Sequence, residues 1–195
     1  AVENVVISAG ANDNYAGTPL AIGGNVATDR AFDGLIDEVR VYNRVLSAAE
    51  IQALYKSGAS RQTQGPSNLN LVGYWPMNEN TGTIAGDFSG NGNRGILTSG
   101  PTWVDGKRGK ALNFDKVDDL LNLRSAATVD NLWANGGTVS TWIYPRSYGE
   151  EATNGFGRIF DKTSGENGWL LYIGSPLYKS VIFSADFSVD VGGAG

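Results

Sequence analysis

Every aromatic or β-branched stretch of this sequence is short, and Gly, Asn, Asp or Pro ends it. With 27 Gly in 195 residues, and five Trp, eight Tyr and seven Phe spread along the chain, the pattern is of many brief strands divided by turns. Such a pattern predicts an all-β fold, an antiparallel sandwich or barrel, because each turn-forming cluster reverses a run too short to be anything but a strand.

A chain of this length buries roughly 70% of its extended surface, so it needs no disulfide staples. It has no Cys, which removes thiolate metal sites and Cys nucleophiles. It has no His, which removes His-based triads, His zinc sites and His pH switches. The formal net charge is −5 and no Lys/Arg run stands out, so nucleic acid is a poor partner. No apolar run approaches the roughly 18–20 residues of a membrane-spanning helix, so no membrane insertion is expected. The opening AVENVVISAG lacks a basic segment followed by a long apolar one, so no signal peptide is read in it.

Strands are predicted at Glu3–Ser8, Leu20–Gly24, Phe32–Asn43, Leu71–Met77, Gly109–Phe114, Asp119–Arg124, Gly137–Pro145, Gly157–Thr163, Gly168–Gly174 and Ser180–Phe187. In Phe32–Asn43 both alternating sets hold apolar residues, Leu35, Val39 and Val41 against Ile36 and Tyr42, which predicts a strand covered on both faces. In Gly137–Pro145, Val139, Thr141 and Ile143 face one way and Ser140, Trp142 and Tyr144 the other. One helix is predicted over 47–57. Ser47-Ala48-Ala49-Glu50 reads as a capping box, Leu46 and Ile51 as a hydrophobic staple, Ile51, Leu54 and Tyr55 as a buried stripe, and Gly58 as the residue after the helix. Residues 59–69 are polar and patternless and read as a linker between a 1–58 piece and a 70–195 piece.

The stretch DFSGNGNRG (Asp87–Gly95) contains G-x-G-x-x-G, but a dinucleotide fingerprint needs an apolar strand before it and a helix after it, and neither is predicted. Asp87, Ser89 and Asn91 place oxygens at positions 1, 3 and 5, with Gly92 at 6, as in the first half of a calcium loop. Thr98 stands where an EF-hand needs Glu, so a carboxylate from elsewhere would have to complete the site. The alternative is a Gly/Asn turn in which Asp87 is an ordinary Asx-turn residue.

Leu71–Leu123, with YWPMNEN, DFSGNGN and GKALNFDKVDD, resembles the opening of a laminin-G-like, concanavalin-A-type jelly roll found in many bacterial surface proteins. Lys116 stands where that family usually has Gly. Pro19–Gly58, with PLAIGG and FDGLIDEVRVYNRVLS, resembles the same family's ending, so the ending precedes the beginning. The resemblance implies a two-sheet jelly-roll sandwich built from two pieces. Either the chain is cut from a tandem array or it is circularly permuted, and the pieces complete one another within one chain or by exchange with another copy. It further implies an extracellular or cell-surface setting and a structural Ca²⁺ held by Asp37 together with Asp87, Asn91 and Asn93. Asp37 supports this independently, since a carboxylate among apolar residues requires a cation or several amides. The alternative is that Asp37 bonds backbone amides or pairs with an Arg.

Jelly-roll glycoside hydrolases carry paired carboxylates as E-x-D-x-E on one strand, which this sequence lacks. Asp37 and Glu38 are adjacent and are expected to point to opposite faces. The pairs Asp118-Asp119 and Glu150-Glu151 are also adjacent, the second reading as solvated loop charge. The expected function is therefore a non-catalytic carbohydrate-binding or adhesion module whose partner is a glycan or another surface protein. A purely structural repeat and a hydrolase-related domain are the alternatives. Tyr148, Phe156, Trp169, Tyr172 and Tyr178 are the aromatic residues in or beside loops, each expected in the core more often than on a sugar platform. Trp75, Trp103 and Trp142 are assigned to the core.

Overall fold

The alternating runs become strands in a computed structural model that describes residues 2–7, 17–26, 30–59, 67–130, 132–133, 136–149, 156–164, 167–174 and 181–186. In chain order the elements are β1 (Val2–Ile7), β2 (Ala21–Ile22), β3 (Asp33–Tyr42), α1 (Ala48–Ala59), β4 (Leu71–Trp75), β5 (Ile84–Ala85), β6 (Gly95–Thr98), β7 (Thr102–Asp105), β8 (Lys110–Asp115), β9 (Leu120–Asn122), β10 (Gly137–Pro145), β11 (Arg158–Ser164), β12 (Asn167–Ile173) and β13 (Val181–Asp186). The structure thus adds β5, β6 and β7 to the predicted strands. They are two to four residues long, and the stretch around them gives no alternation from which to read them.

All strand pairs are antiparallel and form two sheets, with α1 the one short helix among the described residues. The first has the order β1-β10-β3-β8-β7, with β4 also paired to β3; the second has the order β13-β12-β11-β2-β9-β6-β5. Ile36, Val39, Val41, Leu112, Phe114 and Val139 of the first sheet form one apolar cluster with Ile22, Leu121, Phe160, Trp169, Leu171 and Ile173 of the second. The arrangement is consistent with a β-sandwich. Close packing at its centre explains Gly23, whose φ is +82° and where an added Cβ would lie 2.1 Å from the Phe114 ring.

Strands from residues 1–58 lie inside both sheets. β3 has β10 along one edge and β8 and β4 along the other, and β2 runs between β11 and β9. β8 pairs Asp33–Ile36 and β4 pairs Val39–Tyr42, so two strands share one edge of β3 end to end. At the changeover, Glu38 adopts a φ of +52° and the register against β10 shifts between Ser140 and Trp142. These are the marks of a β-bulge, an extra residue that leaves the ladder locally unpaired and re-aims its side chains.

The outer face of the first sheet carries α1. Its capping box forms: the Ser47 amide and hydroxyl each donate to Glu50 at 2.9 Å, and Glu50 also takes the fork of Arg44. Leu54 packs with Tyr42, Leu46 and Leu71, so β3 is covered on both faces as its composition requires. Two details differ from the sequence reading. Gly58 lies within the last turn of α1, which runs on to Ala59, where the Ser57 hydroxyl takes up the Leu54 carbonyl. Tyr55 is 51% exposed and stacks on Trp142 instead of joining the buried stripe.

Lys116 has a φ of +74°, in the left-handed region where a side chain is strained. The Lys116→Gly variant should therefore be more stable by about 1 kcal/mol, read from urea denaturation midpoints.

Candidate functional site

The changeover on β3 also makes a cavity. Asp37, next to the bulge, faces the turn between β7 and β8 in place of a neighbouring strand. The Arg108 amide donates to Asp37 Oδ2 at 2.9 Å. Gly106 sits so close that a Cβ there would lie 2.7 Å from that same oxygen. Oδ1 accepts no hydrogen bond, although Asp37 is only 2% exposed. Burial, opposed by the backbone amides of Arg108, Glu38 and Lys107 and reinforced by the charge of Glu38, pushes the Asp37 carboxyl up to about 6.

The cavity beside it measures about 340 Å³ and is lined by Leu35, Asp105, Lys107, Trp142 and Tyr144 among others. Trp142, assigned to the core from the sequence, is half-buried on the outer face of β10. Tyr55 of α1 stacks on its ring, with centroids 5.9 Å apart and planes 24° from parallel, and Lys107 Nζ lies 4.9 Å from the ring centroid. Tyr144, two residues on and on the same face, is 67% exposed. The result is a concave site with aromatic walls and one buried acceptor, the chemistry that holds a ligand with an apolar face and polar edges.

Glu38 corrects a second expectation. The bulge keeps it on the same face as Asp37, where it pairs with Arg40 at 2.9 Å and receives the Tyr74 hydroxyl. Simple alternation would have sent the two carboxylates to opposite sides; the extra residue cancels one step of it.

The Asp87 loop lies elsewhere. Asp87 Oδ1 accepts the amides of Tyr74 and Ser89 at 3.0 and 2.9 Å, and Oδ2 accepts the Ser89 hydroxyl and the Asn93 amide at 2.9 Å. Asn91 donates to the Leu71 and Val72 carbonyls, Asn93 donates to Val72, and Thr128 donates to Asn93 Oδ1. Gly90 and Gly92, at φ +93° and +76°, allow the chain to fold tightly enough for this. Both the Tyr74 amide and its carbonyl bond this loop, so it runs along the edge of β4 away from β3. Asp87, Asn91 and Asn93 are thus brought together, with β4 between them and the strand that carries Asp37. Strand β6 begins at Gly95, so no helix amides follow the glycines to receive a phosphate.

A different trio of hard oxygens does converge. Carboxylate oxygens of Asp115, Asp118 and Asp119 lie within 4.8 Å of one another, an arrangement that could hold a metal ion. Asp115 and Asp118 are exposed, while Asp119 is buried and its Oδ2 accepts the Asp115 amide at 3.0 Å. Burial, and then the charge of Asp115, raise the Asp119 carboxyl to about 6. The sequence signal was present in the adjacent Asp118-Asp119; what was missing was the turn at Lys116, which folds Asp115 back onto them.

The remaining aromatic residues divide. Trp75 and Trp169 are fully buried, Trp103 and Tyr148 are half-buried against the core, and Phe156 meets Tyr172 edge-on at 5.2 Å. Tyr178, Glu150 and Glu151 lie outside the described residues.

Residues 2–52, which hold β1, β2, β3 and the start of α1, match a laminin-G model of the Concanavalin A-like lectin/glucanases superfamily. No curated protein and no solved structure matches the chain. Among the described residues, no helix is long and apolar enough to cross a membrane.

Because the folded state raises the Asp37 carboxyl, it holds that proton more tightly than the unfolded chain does. This group therefore favours folding below pH about 4, and that stabilisation, about 3 kcal/mol, is lost as pH rises to about 6.5. Asp37→Asn should flatten this part of the fall in melting temperature, leaving the same-signed share of Asp119. Melting curves across that range would show it, and an unchanged slope would contradict the assignment.

Proposed function

We propose that this protein is a non-catalytic carbohydrate-binding or adhesion domain that engages its partner at the Asp37–Trp142–Tyr144 cavity. The observation that carries the reading is the joining of exposed aromatic surface to a buried carboxylate with an oxygen still to be satisfied. Sugars present that combination in reverse, with apolar C–H faces that stack on rings and hydroxyls that donate to carboxylates. The superfamily match over residues 2–52 supports the same class of ligand and a setting outside the cell or on its surface. A glycan array probed with the full chain should give saccharide binding that Tyr144→Ala and Trp142→Ala weaken at least about tenfold, as loss of aromatic contact requires. An array with no signal would favour a spacer role in a surface protein.

We infer further that residues 1–58 and 70–195 together form one jelly-roll sandwich in which the order of the family's segments is reversed. Its support is that strands from the first piece lie between strands of the second in both sheets.

Calcium is the proposed ion, since carboxylate oxygens are the ligands it prefers. Asp115, Asp118 and Asp119 are one placement. The Asp87 loop with Asn91 and Asn93, which β4 separates from Asp37, is the other, and there a cation would share its oxygens with the amide donors already described. Excess Ca²⁺ should raise the melting temperature by mass action on the folded state. If the trio holds it, Asp119→Asn abolishes the shift and Asp87→Ala keeps it while lowering the baseline stability; the opposite result places calcium at the Asp87 loop.

A further inference from the structure

A buried carboxylate walled by aromatic rings does not treat all polar ligands alike. Among the described residues, no Lys or Arg side chain pairs with Asp37, although the Arg108 amide donates to it and Lys107 lines the same cavity. The Lys107 ammonium lies over the Trp142 ring instead, and the Arg108 guanidinium reaches the Ser57 carbonyl. The site therefore shows both halves of a cation receptor without joining them. Trp142 already hosts an ammonium from the protein's own chain, and Asp37, 2% exposed, keeps Oδ1 without a donor. A neutral hydroxyl could fill that acceptor but would leave the buried charge offset by backbone amides alone, whereas a cation supplies both a donor and an opposite charge. The faces of Trp142 and Tyr144 add the attraction of a π system for positive charge, which strengthens as water is excluded. Asp105 at the rim is already paired with Lys110, so the acid that a ligand meets inside is Asp37, which repels an anion.

We propose that this cavity takes an organic ammonium group. If the carbohydrate reading above is right, on which this part rests, the ligand is an amino sugar with an unacetylated amine. Lys107 is then a tethered competitor, an internal ammonium that the ligand displaces from the Trp142 ring.

The test titrates the full chain with four probes: a β-linked glucosamine disaccharide, its N-acetylated form, the equivalent glucose disaccharide and methylammonium chloride. Binding is followed by calorimetry and by the Trp142 indole resonance. The free-amine disaccharide should bind at least about tenfold tighter than the two neutral ones, the difference expected of a charge-assisted contact. Asp37→Asn should erase that preference, and Lys107→Met should tighten binding. Should Asp37→Asn not melt cooperatively, Lys107→Met and the indole shift decide the matter. Equal affinity for all three disaccharides would overturn the ammonium site while preserving a sugar site. Binding of methylammonium with no disaccharide would preserve the ammonium site and remove the carbohydrate reading. No response to either amine would overturn the proposal.

Discussion

β3 is hydrogen-bonded along both edges to strands that lie beyond the 59–69 segment, and the rest of the structure depends on that insertion. Its inner side chains Ile36, Val39 and Val41 are completely buried in the shared core, and burying each contributes on the order of 1.5–3 kcal/mol. Without β3, strands β10, β8 and β4 would each present an unpaired edge, and the first sheet would lose its centre. Without those strands, β3 and α1 would have an apolar face on each side and nothing to cover it. The two stretches are joined by mutual need as much as by the chain between them.

The same insertion generates the site. β3 changes neighbours from β8 to β4 at the same place where its register against β10 shifts and Glu38 takes a positive φ. Where the ladder breaks, the β7–β8 turn enters and supplies an amide to Asp37, and a cavity opens beside it. Helix α1, placed on that face by Leu54, brings Tyr55 to Trp142. The features most open to a ligand therefore sit where the sheet is least regular, which is common for bulges near functional sites.

Much of this was legible in the sequence. Ten of the strands, the capping box and the two-sided burial of β3 follow from local chemistry, because period-two alternation and turn residues act within a few positions. Asp37 was also legible as a carboxylate out of place. The bulge was not: a single positive φ at Glu38 leaves no signature in residue type, and it alone decides which face Glu38 takes. Trp142 shows a different limit. Alternation puts it on the face of Tyr144, opposite Val139 and Ile143, but does not say which face meets the core, to which the sequence reading assigns it; Tyr55 and Lys107 come against it only once α1 and the β7–β8 turn have been placed. The DFSGNGN motif reads equally as a cation loop or an Asx network, since both use oxygens and glycines, and only the placed Tyr74 amide of β4 and the Ser89 and Asn93 donors of the loop show which atoms Asp87 meets.

Insertion of β3 is tested most directly by cutting the chain between the two pieces. A protease site placed within residues 60–66 of the full-length folded protein allows the break to be made without altering either piece. The cleaved halves should still elute together on size exclusion and melt in one cooperative transition, because their strands alternate within both sheets. Separation of the halves under native conditions, or two independent melting transitions, would contradict a shared core.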